Sequence, residues 1–278
     1  MINNQIQSII HDIFHSFHGN TVFIEKGQRQ LTIYDEPLIG FADANDPLFD
    51  TFKKDEVIGE SYMKPIEWIP EAKSVISMFL PFTEDVRRSN SDCGIQPSEE
   101  WLYARVEGQD FIARFTDAVG EALKQIGINC CIPTNDKRFS TVSTELDGDV
   151  HVISTWSERH AAYACGLGTF GITRGIITKK GTAGRFCSII IDRDTQPDVR
   201  QYSGVYDYCI RCGACIAKCP ANAISLEHFK NNGLCGAWVD GTRERFAPRY
   251  GCGKCQLGVP CESGIPLNKL SGLLFTAR

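Results

Sequence analysis

The chain has 278 residues, of which 42% are apolar, and a formal net charge of −5 at pH 7. This length allows one large core and a smaller second domain, whereas the acidic balance disfavours a broad nucleic-acid surface, which needs a basic stripe. No apolar run approaches the roughly twenty residues that cross a bilayer, and residues 1–19 lack the basic segment and cleavage site of a secretory signal. We therefore expect a cytoplasmic protein with neither a membrane nor a nucleic acid as its partner.

The first third of the chain begins with a helical pattern. Isoleucine and phenylalanine recur at helical spacing over residues 2–17, and Gly19 ends the pattern, which predicts an amphipathic helix packed on the core. Residues 22–24 and 31–34 are predicted to form a short hairpin. Prolines and glycines then punctuate residues 37–70, for which we expect an irregular segment on the surface.

The middle of the chain alternates strand and helix patterns. Residues 75–80, 128–132 and 186–191 have the length and composition of strands. Residues 90–97 read as a polar turn, and Ser98 then begins the strongest helix of the sequence, which stops at Gly127. Because no repeated strand-helix-strand unit is evident, we expect an α+β sheet domain over residues 1–201.

A short segment within this domain combines polar and glycine positions. Thr155 and Glu158 have the spacing of a capping box, and the helix that they would begin ends at Gly166. Glu158 therefore has a structural explanation beside a catalytic one. His160, two residues later, is by itself more often a buried imidazole than a proton donor.

The glycines of this segment spell G-x-G-x-x-G at Gly166, Gly168 and Gly171. A dinucleotide site would need a strand before this motif and a helix after it, whereas here a helix precedes it and β-branched residues follow. We expect these glycines to let the backbone approach a large ligand or the neighbouring domain.

Residues 208–220 contain four cysteines at the spacing C-x₂-C-x₂-C-x₃-C, followed by proline. This is the bacterial ferredoxin run, in which three thiolates bind one 4Fe-4S cluster and the fourth binds another. A second set of cysteines follows downstream, as the run predicts. The eight candidate ligands are Cys209, Cys212, Cys215, Cys219, Cys235, Cys252, Cys255 and Cys261.

The crossed pattern of such runs assigns these cysteines to two clusters. Cys261 is expected to join the first three cysteines of the run, and Cys219 is expected to join Cys235, Cys252 and Cys255. The second set departs from a simple repeat, so Cys235 and Cys261 could exchange clusters. Structural zinc is the alternative, because paired C-x₂-C motifs also bind zinc.

The composition of the chain changes at residue 202. After it, cysteine and glycine dominate and no long segment has a periodic hydrophobic pattern. We expect residues 202–278 to form a ferredoxin-like domain that its two 4Fe-4S clusters hold together. An apolar segment at residues 267–275 is expected to dock on the first domain.

The combination of these motifs resembles a known group of proteins. Residues 157–160 (SERH), 166–171 (GLGTFG) and 184–186 (GRF), followed by the eight cysteines, resemble the iron-sulfur proteins related to epoxyqueuosine reductase and the reductive dehalogenases. The resemblance implies a nitroreductase-like first domain that holds cobalamin near one cluster. It also implies electron flow from a donor, through both clusters, to cobalt.

The sequence differs from these proteins at two places. Epoxyqueuosine reductase carries a proton-donating aspartate about fourteen residues before the G-L-G motif, and the aligned position here is Val152. The respiratory dehalogenases carry a twin-arginine leader, whereas the arginine pair at residues 87–88 lies too deep in this chain for that role. The resemblance therefore implies redox chemistry and does not identify the substrate.

The resulting hypothesis is an oxidoreductase whose clusters feed a corrinoid, or another cofactor, in a cleft between the domains. Glu158 and His160 are its candidate catalytic residues, and the cofactor-binding candidates are Gly166, Gly168, Gly171, Arg174 and Arg185. Its expected partners are a small-molecule substrate and an electron donor such as reduced ferredoxin or flavodoxin. A non-enzymatic electron carrier and a corrinoid-handling protein are the alternatives.

Overall fold

The computed structural model describes residues 2–146 and 148–267. The helices of this part are α1 (Ile2–Ser16), α2 (Pro47–Thr51), α3 (Pro65–Trp68), α4 (Glu84–Asp92), α5 (Glu99–Gln125), α6 (Glu158–Ala164), α7 (Ala214–Ala217) and α8 (Asn232–Phe246). The strands are β1 (Thr21–Ile24), β2 (Arg29–Thr32), β3 (Leu38–Asp43), β4 (Ser74–Pro81), β5 (Cys130–Cys131), β6 (Thr141–Leu146), β7 (Asp149–Ser154), β8 (Gly168–Phe170), β9 (Ile176–Thr178), β10 (Gly184–Ile191), β11 (Ile224–Ser225) and β12 (Phe229–Lys230).

A four-stranded antiparallel sheet of order β3-β4-β10-β5 forms the centre of the first domain. All eight residues of β4 are buried, because helices or loops cover both faces of this strand. β10 pairs with β4 along its whole length, from Gly184 opposite Pro81 to Ile191 opposite Ser74. Helices pack against an antiparallel sheet, so the mixed α and β composition predicted from the sequence is confirmed.

The long helices α1 and α5 cover one face of this sheet. Phe14 of α1 meets Phe111 and Phe115 of α5 edge-on, and all three rings lie in the main core. Burying a side chain of this size contributes about 2–3 kcal/mol. The helix predicted to begin at Ser98 does so, because the Ser98 hydroxyl accepts a hydrogen bond from the Trp101 backbone N–H at 3.1 Å.

A second core lies on the opposite face, beneath α6. The Trp156 ring stacks between Tyr62 and Phe49, and its indole Nε1 donates to the Ser188 hydroxyl of β10 at 2.9 Å. Phe52 and Trp68 also belong to this core. Residues 37–70 therefore supply a sheet strand and buried aromatic side chains, so the expectation of an irregular surface segment is wrong.

The cysteine-rich part of the chain, after residue 202, contacts the preceding part at several points. Asp149 at the start of β7 accepts hydrogen bonds from the backbone N–H groups of Asn232 and Gly233, at the start of α8. The Asn90 side chain of α4 donates to the Cys252 carbonyl at 2.9 Å, and the Thr182 N–H donates to the Cys261 carbonyl at 2.9 Å. The first domain thus fixes the loops that carry the downstream cysteines.

Two other expectations need correction. Helix α4 ends at Asp92, within the predicted turn of residues 90–97, and the 15-residue helix α8 occupies a region where no long periodic segment was expected. Residues 270–275 of the predicted docking segment lie outside the described residues. In the part of the chain that the structure describes, no helix combines the length and apolar character needed to span a bilayer.

Candidate functional site

The first group of thiols forms around the loop before α7. Cys209, Cys212, Cys215 and Cys261 line one small apolar cavity together with Gly171, Ile172 and Val259. Burial raises the thiol pKa values of Cys215 and Cys261, and the nearby Cys209 and Cys212 raise them further. Gly213 lies between them at φ +75°, a left-handed conformation that suits glycine. The structure thus brings together the four cysteines predicted for one cluster.

The second group contains Cys219, Cys235, Cys252 and Cys255. Cys219 follows α7, Cys235 lies near the start of α8, and the other two flank the turn at residues 253–254. The thiols of Cys219 and Cys235 act electrostatically on both Cys252 and Cys255. The structure therefore places Cys235 with the second group and Cys261 with the first.

One glycine fixes the second group on the first domain. Gly253 has φ +69°, and a Cβ atom at this position would lie 1.8 Å from the Trp101 ring of α5. The loop between Cys252 and Cys255 therefore lies directly on the first turn of the longest helix.

Both groups consist of cysteines, the ligand type that 4Fe-4S clusters use. Among residues 2–146 and 148–267, no three His, Cys, Asp or Glu side chains converge tightly enough to hold one metal ion. A cubane holds its thiolates farther apart, because each binds a different iron. Burial raises the thiol pKa of both Cys255 and Cys261 to about 12. These thiols would thus lose their protons only when a metal compensates the charge.

Glu158, a candidate catalytic residue, lies in the first turn of α6. Ser157 is the N-cap residue of α6, but its side chain makes no capping hydrogen bond to the helix. Within the described chain, neither carboxyl oxygen of Glu158 has a hydrogen-bond partner. Glu158 therefore does not close the predicted capping box, because its carboxyl is buried. Burial raises the pKa of Glu158 to about 7, although the nearby Ser188 hydroxyl favours the charged form.

This pKa has a measurable consequence for stability. The folded protein keeps Glu158 protonated at pH values where the unfolded chain has already lost the proton. The free energy of unfolding therefore falls as the pH rises from about 4.5 to about 7. From pH 6 to pH 8 this group is expected to remove about 1 kcal/mol of stability. Denaturation of wild type and Glu158→Gln at the two pH values tests this. An equal pH dependence in both proteins would contradict the buried protonated carboxyl.

His160, the other catalytic candidate, lies between two aromatic rings. Its ring centroid is 4.9 Å from that of Phe52 and 4.9 Å from that of Phe170, and its Nδ1 is 2.8 Å from the Ser157 hydroxyl. Burial, followed by the charge of Arg159, lowers the pKa of His160 to about 3. The imidazole is therefore neutral near pH 7, which makes Glu158 the better candidate proton source.

The three glycines of the motif have different surroundings. A Cβ atom at Gly168 would lie 1.9 Å from the Ile177 carbonyl oxygen, so the chain itself fills the space beside this glycine. Gly166 has φ +77° just after α6. A Cβ atom at Gly171 would meet only side-chain atoms, those of Ile177 at 3.4 Å and of Thr173 at 3.7 Å, and Gly171 borders the first cysteine group. Of the three, Gly171 is the one placed beside a candidate cluster.

The predicted arginines belong to a larger group that sequence analysis missed. Arg185 at the start of β10 donates from Nη2 to the Arg105 carbonyl of α5 at 3.4 Å, and Arg159 donates from Nη1 to the Arg174 carbonyl at 2.7 Å. The guanidinium of Arg105 lies over the Tyr250 ring, 4.8 Å from its centroid. We call the neighbourhood of Arg105, Arg159, Arg185 and Tyr250 the recess.

The position of the recess connects it with both cysteine groups. Tyr250 stands two residues before Cys252 of the second group. On the other side, Arg159 contacts Arg174, which follows Thr173 in the wall of the first cysteine cavity. Val152, the position aligned with the missing aspartate, lies on β7 with 54% of its surface exposed. The recess is therefore linked to both cysteine groups, through Tyr250 on one side of the chain and through Arg174 on the other.

Comparisons with known proteins give a domain match and a fold. Residues 204–225 match the 4Fe-4S binding domain family, and no curated protein matches the chain. An epoxyqueuosine reductase solved with an epoxyqueuosine-modified tRNA stem loop has a TM-score of 0.52 at 18% identity, with 96% of this chain and 67% of that chain covered. The Streptococcus thermophilus epoxyqueuosine reductase gives 0.50 at 17% identity, covering 96% and 68%.

A catabolic reductive dehalogenase in complex with 3-bromo-4-hydroxybenzoic acid gives a TM-score of 0.51 at 15% identity, over 83% of this chain and 30% of that chain. At these identities the likeness shows a shared fold, which confirms the predicted resemblance to this superfamily at that level. The chain spans 64% of another epoxyqueuosine reductase chain, slightly less than two thirds of its length.

Proposed function

We propose that this protein is an iron-sulfur oxidoreductase with two 4Fe-4S clusters that pass electrons to a corrinoid, or a similar large cofactor, in the recess. The proposal depends above all on the convergence of eight cysteines in two groups of four. The match to the 4Fe-4S binding domain and the shared fold support it. The substrate in this proposal is a small molecule.

The cysteine groups fit their proposed role. Bound 4Fe-4S clusters would supply one-electron transfer at potentials that depend on charge, hydrogen bonding and solvent exposure. Around the first group, Ile172, Ile224 and Val259 form a buried apolar cluster that would limit the access of water. The described residues thus provide both thiolate ligands and a low-dielectric surrounding.

The recess residues fit a ligand with a polar rim. Arg185 and Arg159 each use one N–H group on a backbone carbonyl, and within the described chain Arg105 makes no side-chain hydrogen bond. The remaining donors could bind the amide and phosphate groups at the edge of a corrinoid. A corrinoid, when bound, would supply a low-valent cobalt that reduces the substrate.

Glu158 is the residue that we assign to proton storage. Its carboxyl is closed off from bulk water and precedes Arg159 of the recess. Because its pKa is raised to about 7, about half of the Glu158 carboxyls hold a proton at pH 7 and can release it when charge changes nearby. The reduction of most substrates consumes such a proton.

The expected electron donor is a small redox protein such as reduced ferredoxin or flavodoxin. The tRNA stem loop mentioned above is a ligand of the epoxyqueuosine reductase with which it was solved. The net charge of −5 here favours a small-molecule substrate.

Anaerobic titration of the cluster-loaded protein with cobalamin tests this function. We expect a saturable change in the cobalamin absorption spectrum. In a parallel fluorescence assay with a fluorescent corrinoid, an excess of non-fluorescent corrinoid should abolish the binding signal. A flavin titration serves as the comparison. If neither cofactor binds while both clusters are intact, the protein would instead be an electron carrier whose first domain docks a redox partner.

A further inference from the structure

Lys254 lies in the loop that joins two cysteines of the second group. It stands directly before Cys255 and two residues after Cys252, in the short helical turn Lys254–Gln256. The covalent chain itself therefore places this lysine beside the second cysteine group. A 4Fe-4S cluster held by Cys252 and Cys255 would share the loop with it.

The Lys254 side chain is buried. Only 5% of the residue is exposed, and no other charged residue of the described chain is buried to this extent. Its ammonium donates hydrogen bonds to the Asn90 carbonyl at 2.5 Å and to the Cys93 sulfur at 3.1 Å, both at the C-terminal end of α4. The ammonium is thus held in one place, between α4 and the cysteine loop.

This ammonium has no acidic partner. The more exposed Lys64 and Lys73 pair with Asp50 and Asp194, each at 2.8 Å. In contrast, the partner atoms of Lys254 are a carbonyl oxygen and a sulfur, and no carboxylate of residues 2–146 and 148–267 lies within ion-pair distance of it. The end of the α4 dipole offsets only part of the charge. Because an unpaired buried ammonium is costly, a further negative charge is expected nearby in the loaded protein.

The second cysteine group provides that charge when a cluster is bound. A cubane with four thiolate ligands is an anion, and reduction adds one more negative charge to it. A fixed ammonium nearby stabilises the reduced form more than the oxidised form, and burial keeps this effect from being screened by water. The first cysteine cavity has no such group, because Arg211, the charged residue in its wall, is exposed.

We propose that the buried ammonium of Lys254 raises the reduction potential of the cluster held by the second cysteine group. The inference rests on the proposed function, since it assigns a role in electron transfer to a residue that binds no iron. The electron comes from the reduced donor protein, which is oxidised in the step. Lys254 itself neither gains nor loses a proton.

Redox titration of the anaerobic, cluster-loaded chain, followed by electron paramagnetic resonance, tests the proposal. Lys254→Gln keeps a donor for the Asn90 carbonyl and removes the charge. The ratio of reduced to oxidised second cluster at a fixed potential should fall about tenfold, which for a one-electron couple is a shift of about 59 mV to lower potential. The first cluster should titrate as in wild type. Lys254→Arg, which retains the charge, should stay close to wild type.

Lys218→Gln is the matched control. Lys218 stands directly before Cys219 of the same group, just as Lys254 stands before Cys255, but Lys218 is exposed. Because water and salt screen an exposed charge, the potential of the second cluster should change much less in this variant. The small change should also shrink as salt is raised, whereas the shift in Lys254→Gln should persist.

A second pair of variants leaves the cysteine loop untouched. Cys93 is exposed and lies at the end of α4, with its sulfur 3.1 Å from the Lys254 ammonium. Cys93→Asp would neutralise this ammonium and should lower the potential of the second cluster. Cys93→Asn, which has a similar size and no charge, should leave the potential unchanged. This pair tests the same charge even if Lys254→Gln fails to retain its cluster.

Two results would overturn the inference. One is an equal shift of the second cluster in Lys254→Gln and Lys218→Gln; the other is the same potential in Cys93→Asp and Cys93→Asn. A less stable Lys254→Gln with an unchanged potential would show that Lys254 only attaches the loop to α4. Iron analysis of the same samples separates the two claims. A chain without clusters would contradict the proposed function, whereas intact clusters with unchanged potentials would contradict this inference alone.

Discussion

Replacing Cys219 with serine is expected to remove the second cluster and leave the first intact. Although Cys219 follows Cys215 by four residues, its thiol lies with Cys252 and Cys255, whereas Cys215 lies with Cys209 and Cys261. A cluster that lacks one of its four thiolate ligands should lose its iron. Iron in anaerobically purified protein should fall from about eight to about four per chain.

Cys212→Ser is the matched control, because it makes the same chemical change in the other group. It should also leave about four irons, but the surviving cluster should differ in its electron paramagnetic resonance spectrum and reduction potential. If both variants lose the same cluster and retain the same other one, the crossed assignment is wrong.

Replacing Gly168 with alanine is expected to destabilise the fold severely. The new Cβ would lie 1.9 Å from the Ile177 carbonyl oxygen and 2.8 Å from its carbon, at the end of the β8–β9 pair where Gly168 opposes Thr178. Backbone cannot move aside as a flexible side chain can. We expect a loss of about 3 kcal/mol or more, a large part of the stability of a typical domain.

Gly171→Ala is the control for this change. Its Cβ would meet the Ile177 side chain at 3.4 Å, an ordinary contact, so the loss should stay within about 1 kcal/mol. Thermal unfolding at one fixed scan rate should place Gly168→Ala roughly 10 °C below wild type. Similar midpoints for the two variants would show that the strand pairing at Gly168 does not require glycine.

The sequence predicted those features that depend on local pattern. The ferredoxin run identified four candidate cysteines by their fixed spacing, and it predicted a second set, which was found downstream as Cys235, Cys252, Cys255 and Cys261. The buried strand at residues 75–80 and the helix from Ser98 also followed from local composition and capping, and the structure has both. Helix α8 was missed because Gly233, Gly236 and Gly241 weaken its helical pattern.

Features that depend on long-range packing could not be predicted in this way. The spacing of Thr155 and Glu158 indicates a capping box, yet the helix begins at Glu158 and turns its carboxyl towards Ser188 of the sheet. Arg105 gave no signal in the sequence, and Arg159 was noticed only as part of the SERH motif, because the proximity of these arginines to Arg185 arises only in the fold. The glycine motif likewise could not reveal that Ile177 fills the space at Gly168.

Iron and acid-labile sulfide in anaerobically purified protein test the central claim most directly. Two 4Fe-4S clusters predict about eight irons and eight sulfides per chain, with the spectrum of two reducible cubanes. Stoichiometric zinc with negligible iron and sulfide would contradict the account, because the electron path to the recess would then not exist.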